Sequence, residues 1–307
     1  MRIAIMGSGG MGGYLGARLA AAGNDVTFIA RGAHLAAMRE GGLRVRGAEE
    51  ITVEPVKATD DPGAIGAVDL VLFSVKLYDT DDAAAAIVPL MGEETCVLTV
   101  QNGIESAPRI AAQAGTGRVL GGAAYFPANI SAPGEITFVG RMADHPHLVF
   151  GESGAGDSPR ARSIAATFAA AGIDCRICDD TELMLWEKFC LIAGTSATTA
   201  LCRQTVGVVR SDADMRWLLA ESVAEAARVG RCLGIALKEG LEAEILGFLD
   251  GNPAGGKASQ LVDLERGRRL ELEGLSGAVV RLGREAGVPT PVHATVYAAL
   301  KPFVDGA

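Results

Sequence analysis

Arg2-Ile3-Ala4-Ile5-Met6-Gly7-Ser8-Gly9-Gly10-Met11-Gly12 decides the fold. A short apolar run ends in G-x-G-x-x-G, and Met11–Ala22 comes next with helical spacing. In a strand–turn–helix of this kind each glycine has its own task. One makes the tight turn, one lets the backbone approach a pyrophosphate, and one lets the helix pack on the strand. The first N–H groups of the helix then point at the phosphates. Gly7, Ser8, Gly9, Gly10, Met11 and Gly12 are therefore candidate cofactor-binding residues. The plain alternative is a merely flexible turn, and the placement between strand and helix argues against it.

Asp25–Ala30 is a second apolar strand, and the residue after it bears on which dinucleotide binds. NAD-binding folds place an acid there for the ribose 2′-hydroxyl. Here the strand runs into Arg31-Gly32, and a guanidinium suits a 2′-phosphate. Arg31 points to NADP, the alternative being an exposed arginine at a strand end. Val68–Ser74 and Thr95–Val100 read as further buried strands, with helices over Thr80–Met91 and Ile104–Ala114. Strands without polar alternation, separated by helices, indicate a parallel sheet covered on both faces. Ligands on such sheets sit at the carboxyl ends of the strands, which places Lys76 and Asn102 towards the cofactor. Asn102-Gly103 is also a common turn pair, so that position has a bland reading too.

From Gly121 to Glu152 short β pieces broken by Pro127, Pro133-Gly134 and Gly140 suggest an antiparallel edge. A helix over Pro159–Ala171 and a strand at Cys175 close the first domain, residues 1–180. In residues 181–307 strands give way to helical spacing, for example Met215, Leu218, Leu219, Val223, Ala226, Ala227 and Leu233. An amphipathic helix of this kind is more often domain core than a partner surface. The expected architecture is α/β: a Rossmann-type parallel-sheet domain followed by an all-helical domain.

Composition bounds the function. The 307 residues carry 28 Lys+Arg against 37 Asp+Glu, a net charge of -9 that argues against nucleic acid or anionic membrane as partner. Apolar runs are too short for a transmembrane helix, and the N-terminus does not read as a signal peptide, so a cytoplasmic protein is expected. Six cysteines fit free thiols in that compartment. Cys175 and Cys178 form a C-x-x-C with no second Cys or His pair at metal spacing, so ordinary strand residues and no metal are expected.

With these residues in place, the chain resembles the ketopantoate reductase (2-dehydropantoate 2-reductase) family. The resemblance rests on Gly7–Gly12, Arg31, Ser74-Val75-Lys76, Gln101-Asn102-Gly103, Leu185-Trp186-Glu187-Lys188-Phe189 and Ser259 through Glu271. It implies a C-terminal domain like that of 6-phosphogluconate dehydrogenase, a cleft between the domains, and NADPH-dependent reduction of a 2-oxo acid to a 2-hydroxy acid. It also implies roles. The family's catalytic lysine falls on Lys188, its active-site glutamate on Glu271 and its substrate-binding serine on Ser259. Its nicotinamide-side asparagine, which also orients the substrate carbonyl, falls on Asn102, its cofactor-contacting lysine on Lys76 and an alanine backbone contact on Ala128.

In that scheme Lys188 is the general acid, its pKa lowered in the cleft, and it stabilises the developing alkoxide. Glu271 holds Lys188 or a substrate hydroxyl in place, and Ser259 bonds the substrate carboxylate. Read from composition alone, Lys188 and Glu271 would be ordinary surface charges. The family's substrate-side asparagines fall on Ile192, Ser196 and Val206, where the apolar pair cannot supply amide hydrogen bonds. Sites built on such bonds discriminate by about 10⁴. A dehydrogenase of the same fold acting on another small acid is therefore a rival, and a non-enzymatic NADP-binding sensor is a second. A homodimer through the helical domain is compatible with the sequence.

Overall fold

The computed structural model describes residues 1–142, 145–154 and 156–306. Its organising element is β1 (Arg2–Met6), which is buried from Ile3 onward. Ile3 and Ile5 enter one hydrophobic cluster while Ala4 and Met6 enter another. Successive side chains of a strand point to opposite faces, so β1 is covered on both. The same division recurs at Leu70 and Leu72 against Val71 and Phe73.

The remaining strands are β2 (Asp25–Ile29), β3 (Leu43–Gly47), β4 (Ile51–Val53), β5 (Lys57–Thr59), β6 (Val68–Phe73), β7 (Met91–Thr99), β8 (Val119–Ala124), β9 (Ala128–Ala132), β10 (Glu135–Phe138), β11 (Leu148–Glu152) and β12 (Cys175–Ile177). Eight form one sheet in the order β12-β11-β8-β7-β6-β1-β2-β5. From β5 to β8 every pairing is parallel, with Ile5 opposite both Phe28 and Leu72. β11 runs antiparallel to β8 and parallel to β12. Strand order reverses between β1 and β6, because the chain goes from β1 to one side and returns to start the other.

Two expectations need correction. The hairpin β9–β10 does not extend the main sheet as an edge; with β3 and β4 it makes a separate four-stranded sheet, ordered β4-β3-β10-β9. Only β11 and β12 supply the reversed edge of the main sheet. The helix expected over Thr80–Met91 ends at Ala86, gives a short 3-10 turn at Val88–Leu90 carrying Pro89, and Met91 opens β7. A proline in a helix interior removes a donor and clashes with the preceding turn. The helix Gly32–Gly41 and the strands β3, β4 and β5 went unassigned in the sequence.

The chain divides into two compact units: residues 1–101 with 105–181, and residues 102–104 with 182 onward. In the second unit the 22-residue helix Thr181–Cys202 carries Trp186, Phe189, Cys190 and Ala193 into one apolar cluster, against which Ile104 also packs. Ala197 and Ala200 of the same helix enter another, with Leu270, Leu272, Val292 and Val296. Its threonines hand their hydroxyls back to the preceding turn, Thr198 to Gly194 O at 2.9 Å and Thr199 to Thr195 O at 2.7 Å. That satisfies polar groups in a buried helix without outside partners.

A buried knot fixes the helix Pro291–Leu300. Both carboxylate oxygens of Glu225, which is 0% exposed, accept backbone N–H groups, from Val292 at 2.8 Å and His293 at 2.9 Å. The His293 ring donates from Nε2 to Ser222 O at 2.9 Å, which leaves Nδ1 to accept from the Ser276 hydroxyl at 3.2 Å. Burial pushes the His293 pKa down to about 4, and the ring is neutral.

Candidate functional site

The glycine turn is held from three sides. Gly7 takes φ +97°, a conformation that side chains other than glycine's rarely adopt. The Ser8 N–H and hydroxyl both donate to Ile29 O at 3.0 Å, tying the turn to the end of β2. The Ser74 hydroxyl donates to Gly7 O at 2.8 Å, tying it to the end of β6. A Cβ on Gly12 would overlap that hydroxyl and the Gly7 carbonyl, and one on Gly10 would overlap the backbone of Ala128. At Gly9 an added Cβ would meet nothing within 4 Å. The turn is thus packed tightly on its inner side and open at Gly9, the shape needed for close approach by a pyrophosphate. It opens the 12-residue helix Gly10–Ala21, whose leading N–H groups favour an anion. These residues fit a dinucleotide.

The turn follows β1 and Ser74-Val75-Lys76 follows β6, the two strands that flank the reversal in strand order. Open α/β sheets bind ligands there. Arg31 lies two residues beyond Ile29, exposed, at the start of the helix Gly32–Gly41. Lys76 is half-buried and precedes the 3-10 turn Leu77–Asp79. Gln101 secures the strand ends: its amide nitrogen donates to Val75 O at 3.0 Å and to the Thr80 hydroxyl at 2.9 Å. Structure therefore brings Gly7–Gly12, Ser74 and Ala128 into one group, with Arg31 and Lys76 at adjoining strand ends.

His34 is a member of this group that no sequence motif announces. Its Nδ1 accepts the Gly134 N–H at 3.0 Å, so Nε2 carries the proton and donates to Ser8 O at 2.9 Å. The ring links the glycine turn to the tip of β9–β10, and burial lowers its pKa. Only the register of two sheets reveals this contact.

A second group lies in the helical unit. Lys188 is 7% exposed and Glu271 8% exposed. Burial brings the Lys188 ammonium down to about 8, and the negative charge of Glu271 acts in the opposite sense. Lys188 stands on the long helix Thr181–Cys202, on a different face from Trp186, Phe189 and Cys190, which enter an apolar cluster. Glu271 stands between buried Leu270 and Leu272, just before a wide turn in which Gly277 N–H bonds Leu272 O at 2.9 Å, an i→i+5 bond. Turns of this kind recur at functional sites. Asn102 is half-buried and groups with this unit, whereas Ser259 is exposed at the start of the helix Ser259–Glu265. Ile192 is partly buried in the Trp186 cluster, and Ser196 and Val206 are buried.

A cavity of about 550 Å³ opens by Arg18, Ala22, Glu49 and Ala171. It lies at the far end of the helix Gly10–Ala21 from the glycine turn. Arg18 is already committed to Glu49 and to the carbonyls of Ala171 and Gly172. Cys175 and Cys178 are free thiols, and no metal-ligating cluster occurs among the described residues. No helix among the described residues is long and apolar enough to cross a membrane.

Comparison with known proteins places these groups in context. Residues 3–153 match the family model for ketopantoate reductase PanE/ApbA, and residues 180–304 match the model for its C-terminal part. A 2-dehydropantoate 2-reductase of Mesorhizobium japonicum is 32% identical over 98% of this chain and 97% of its own length. The crystal structure of a PanE/ApbA family ketopantoate reductase from Ralstonia eutropha superposes with a TM-score of 0.90 at 31% identity, covering 99% of this chain and 98% of its own. A D-mandelate dehydrogenase solved with NADH and anilino(oxo)acetate shares the fold at a TM-score of 0.89, with 21% identity and coverage of 99% and 98%.

Proposed function

Because the chain belongs to the ketopantoate reductase PanE/ApbA family, we propose that it reduces ketopantoate to pantoate with NADPH, and that Lys188 is the proton donor. The observation that carries the proton-donor role is the burial of Lys188 near Glu271, with a pKa of about 8. An ammonium of that acidity gives up a proton near neutral pH far more readily than a surface lysine.

Bound NADPH supplies a hydride to the keto carbon. The chain's own residues do the rest. The backbone N–H groups of Gly9 through Gly12 hold the pyrophosphate, and the Arg31 guanidinium pairs with the 2′-phosphate that distinguishes NADP from NAD. Lys76 and the Ala128 backbone complete the cofactor contacts. Ser259 bonds the substrate carboxylate, and Asn102 orients the carbonyl. Lys188 Nζ donates to the carbonyl oxygen as negative charge develops there, and then holds a neutral amine. Glu271 keeps the ammonium charged until that moment. The cofactor group falls in residues 1–180 and the acid–base group in residues 181–307, so the two domains divide binding from proton transfer. The same reading places the protein in the cytoplasm as a homodimer joined through its helical domain.

Turnover is tested by following NADPH absorbance with ketopantoate beside a panel of other 2-oxo acids. Rapid oxidation with ketopantoate is the expected result. Turnover of a different acid alone would instead select the same-fold dehydrogenase reading, and tight NADPH binding with no turnover would select the sensor. Lys188→Ala is expected to cut kcat by at least about 100-fold with NADPH affinity unchanged; unaltered turnover would remove Lys188 from the mechanism.

A further inference from the structure

Ser8 and Gly9 share one trans peptide, so the Ser8 carbonyl and the Gly9 N–H point in opposite directions. Whatever holds the carbonyl therefore aims the N–H. His34 holds it: the ring donates from Nε2 to Ser8 O at 2.9 Å. Gly9 stands at the open side of the turn, where an added Cβ would meet nothing within 4 Å. Having no side chain, it offers little resistance to rotation of that peptide, so the direction has to be fixed from outside.

The ring is itself held from the second sheet. Its Nδ1 faces the Gly134 N–H at 3.0 Å, and an amide N–H can only donate, so the ring proton sits on Nε2. Gly134 is anchored in turn, its carbonyl accepting the Arg44 N–H of β3 at 2.9 Å. The same sheet meets the glycine turn at a second point, where the Ala128 backbone fills the space that a Cβ on Gly10 would need. His34 thus carries the position of a four-stranded sheet to one peptide of the turn. It does so from the start of the helix Gly32–Gly41, three residues after Arg31.

We propose that His34 is a positioning residue for the cofactor, fixing the Ser8–Gly9 peptide so that the Gly9 N–H faces the pyrophosphate of NADPH before NADPH arrives. A donor set in advance bonds an anion without first having to be ordered. This rests on the reductase reading above for the identity of the cofactor.

Two substitutions divide the ring's two bonds. In His34→Gln the amide N–H₂ reaches the place of Nε2 and still donates to Ser8 O. In His34→Asn the shorter side chain sets a carbonyl oxygen at the place of Nδ1, which keeps the Gly134 bond and leaves Ser8 O without its donor. NADPH affinity, followed by cofactor fluorescence, should weaken about 10-fold in His34→Asn and less than about threefold in His34→Gln. Melting temperatures without cofactor should be similar in the two variants. Unchanged affinity in His34→Asn overturns the proposal. So does an equal loss of affinity in both variants with both melting temperatures lowered, which would make His34 a merely structural residue. The readout is binding, so an unaltered protein that binds NADPH but turns over no 2-oxo acid fails the reductase reading alone. One that binds no NADPH overturns both.

Discussion

At Lys188 two influences compete, and their balance sets a pH dependence. Burial lowers the pKa from 10.5 to about 8 while the charge of Glu271 raises it, so burial prevails. A proton donor must be charged, so kcat/KM for reduction should fall about tenfold per unit above pH 8. The reverse oxidation needs the neutral amine and should rise through the same range. Glu271→Gln removes the influence that keeps the ammonium charged, so the falling limb should move to lower pH. A limb that moves to higher pH, or stays, would separate the two residues. Stability follows the same shift. Between pH 8 and 10.5 the unfolded chain holds the proton that the folded chain has released, so the penalty of burying Lys188 is fully present below pH 8 and is relieved as pH rises to 10.5. Nothing in Leu185-Trp186-Glu187-Lys188-Phe189 by itself distinguishes a buried lysine from a solvated one. Resemblance named the residue; its burial in the fold explains its acidity.

Among elements, the glycine turn was the most legible, because its sequence encodes its own geometry. Gly7 needs a positive φ, and Gly12 needs to lie against Ser74, so local chemistry and tertiary packing agree. Gly12→Ala should therefore destabilise the fold by about 1–3 kcal/mol through overpacking, and weaken NADPH binding further by shifting the turn. Denaturant titration and fluorescence binding measure both, and a variant with unchanged affinity would refute the packing argument. The four-stranded sheet was far less legible. In β3 the run Leu43-Arg44-Val45-Arg46-Gly47 buries only alternate residues, and its partner β10 lies far along the chain. A five-residue half-buried strand has no local signal comparable to a glycine fingerprint, and its pairing is decided by distant register. His34 was invisible for the same reason, since its two partners lie on separate elements.

For the molecule as a whole, the buried knot at Glu225 and His293 sets behaviour in acid. His293 is neutral in the fold with a pKa near 4, whereas an unfolded histidine titrates near 6.5. The unfolded state gains a proton first as pH falls, so stability should drop between pH 6.5 and 4 by about 3 kcal/mol. Glu225, raised by burial, works in the opposite sense over its own range. Urea titrations at several pH values measure the slope. His293→Gln should be less stable at neutral pH and should show a shallower decline in acid; an unaltered slope would acquit His293.

The second unit is not one stretch of chain, and this bears on how such genes can be cut and recombined. Ile104, which joins the Trp186 cluster, is encoded well before Glu182, where the long part of that unit begins. A crossover anywhere between the two would deliver a new set of helices while leaving the old residue behind to fill their core. Shuffled offspring would inherit a mismatched volume at one buried position, so exchange between relatives should succeed where both parents carry a side chain of isoleucine's size there.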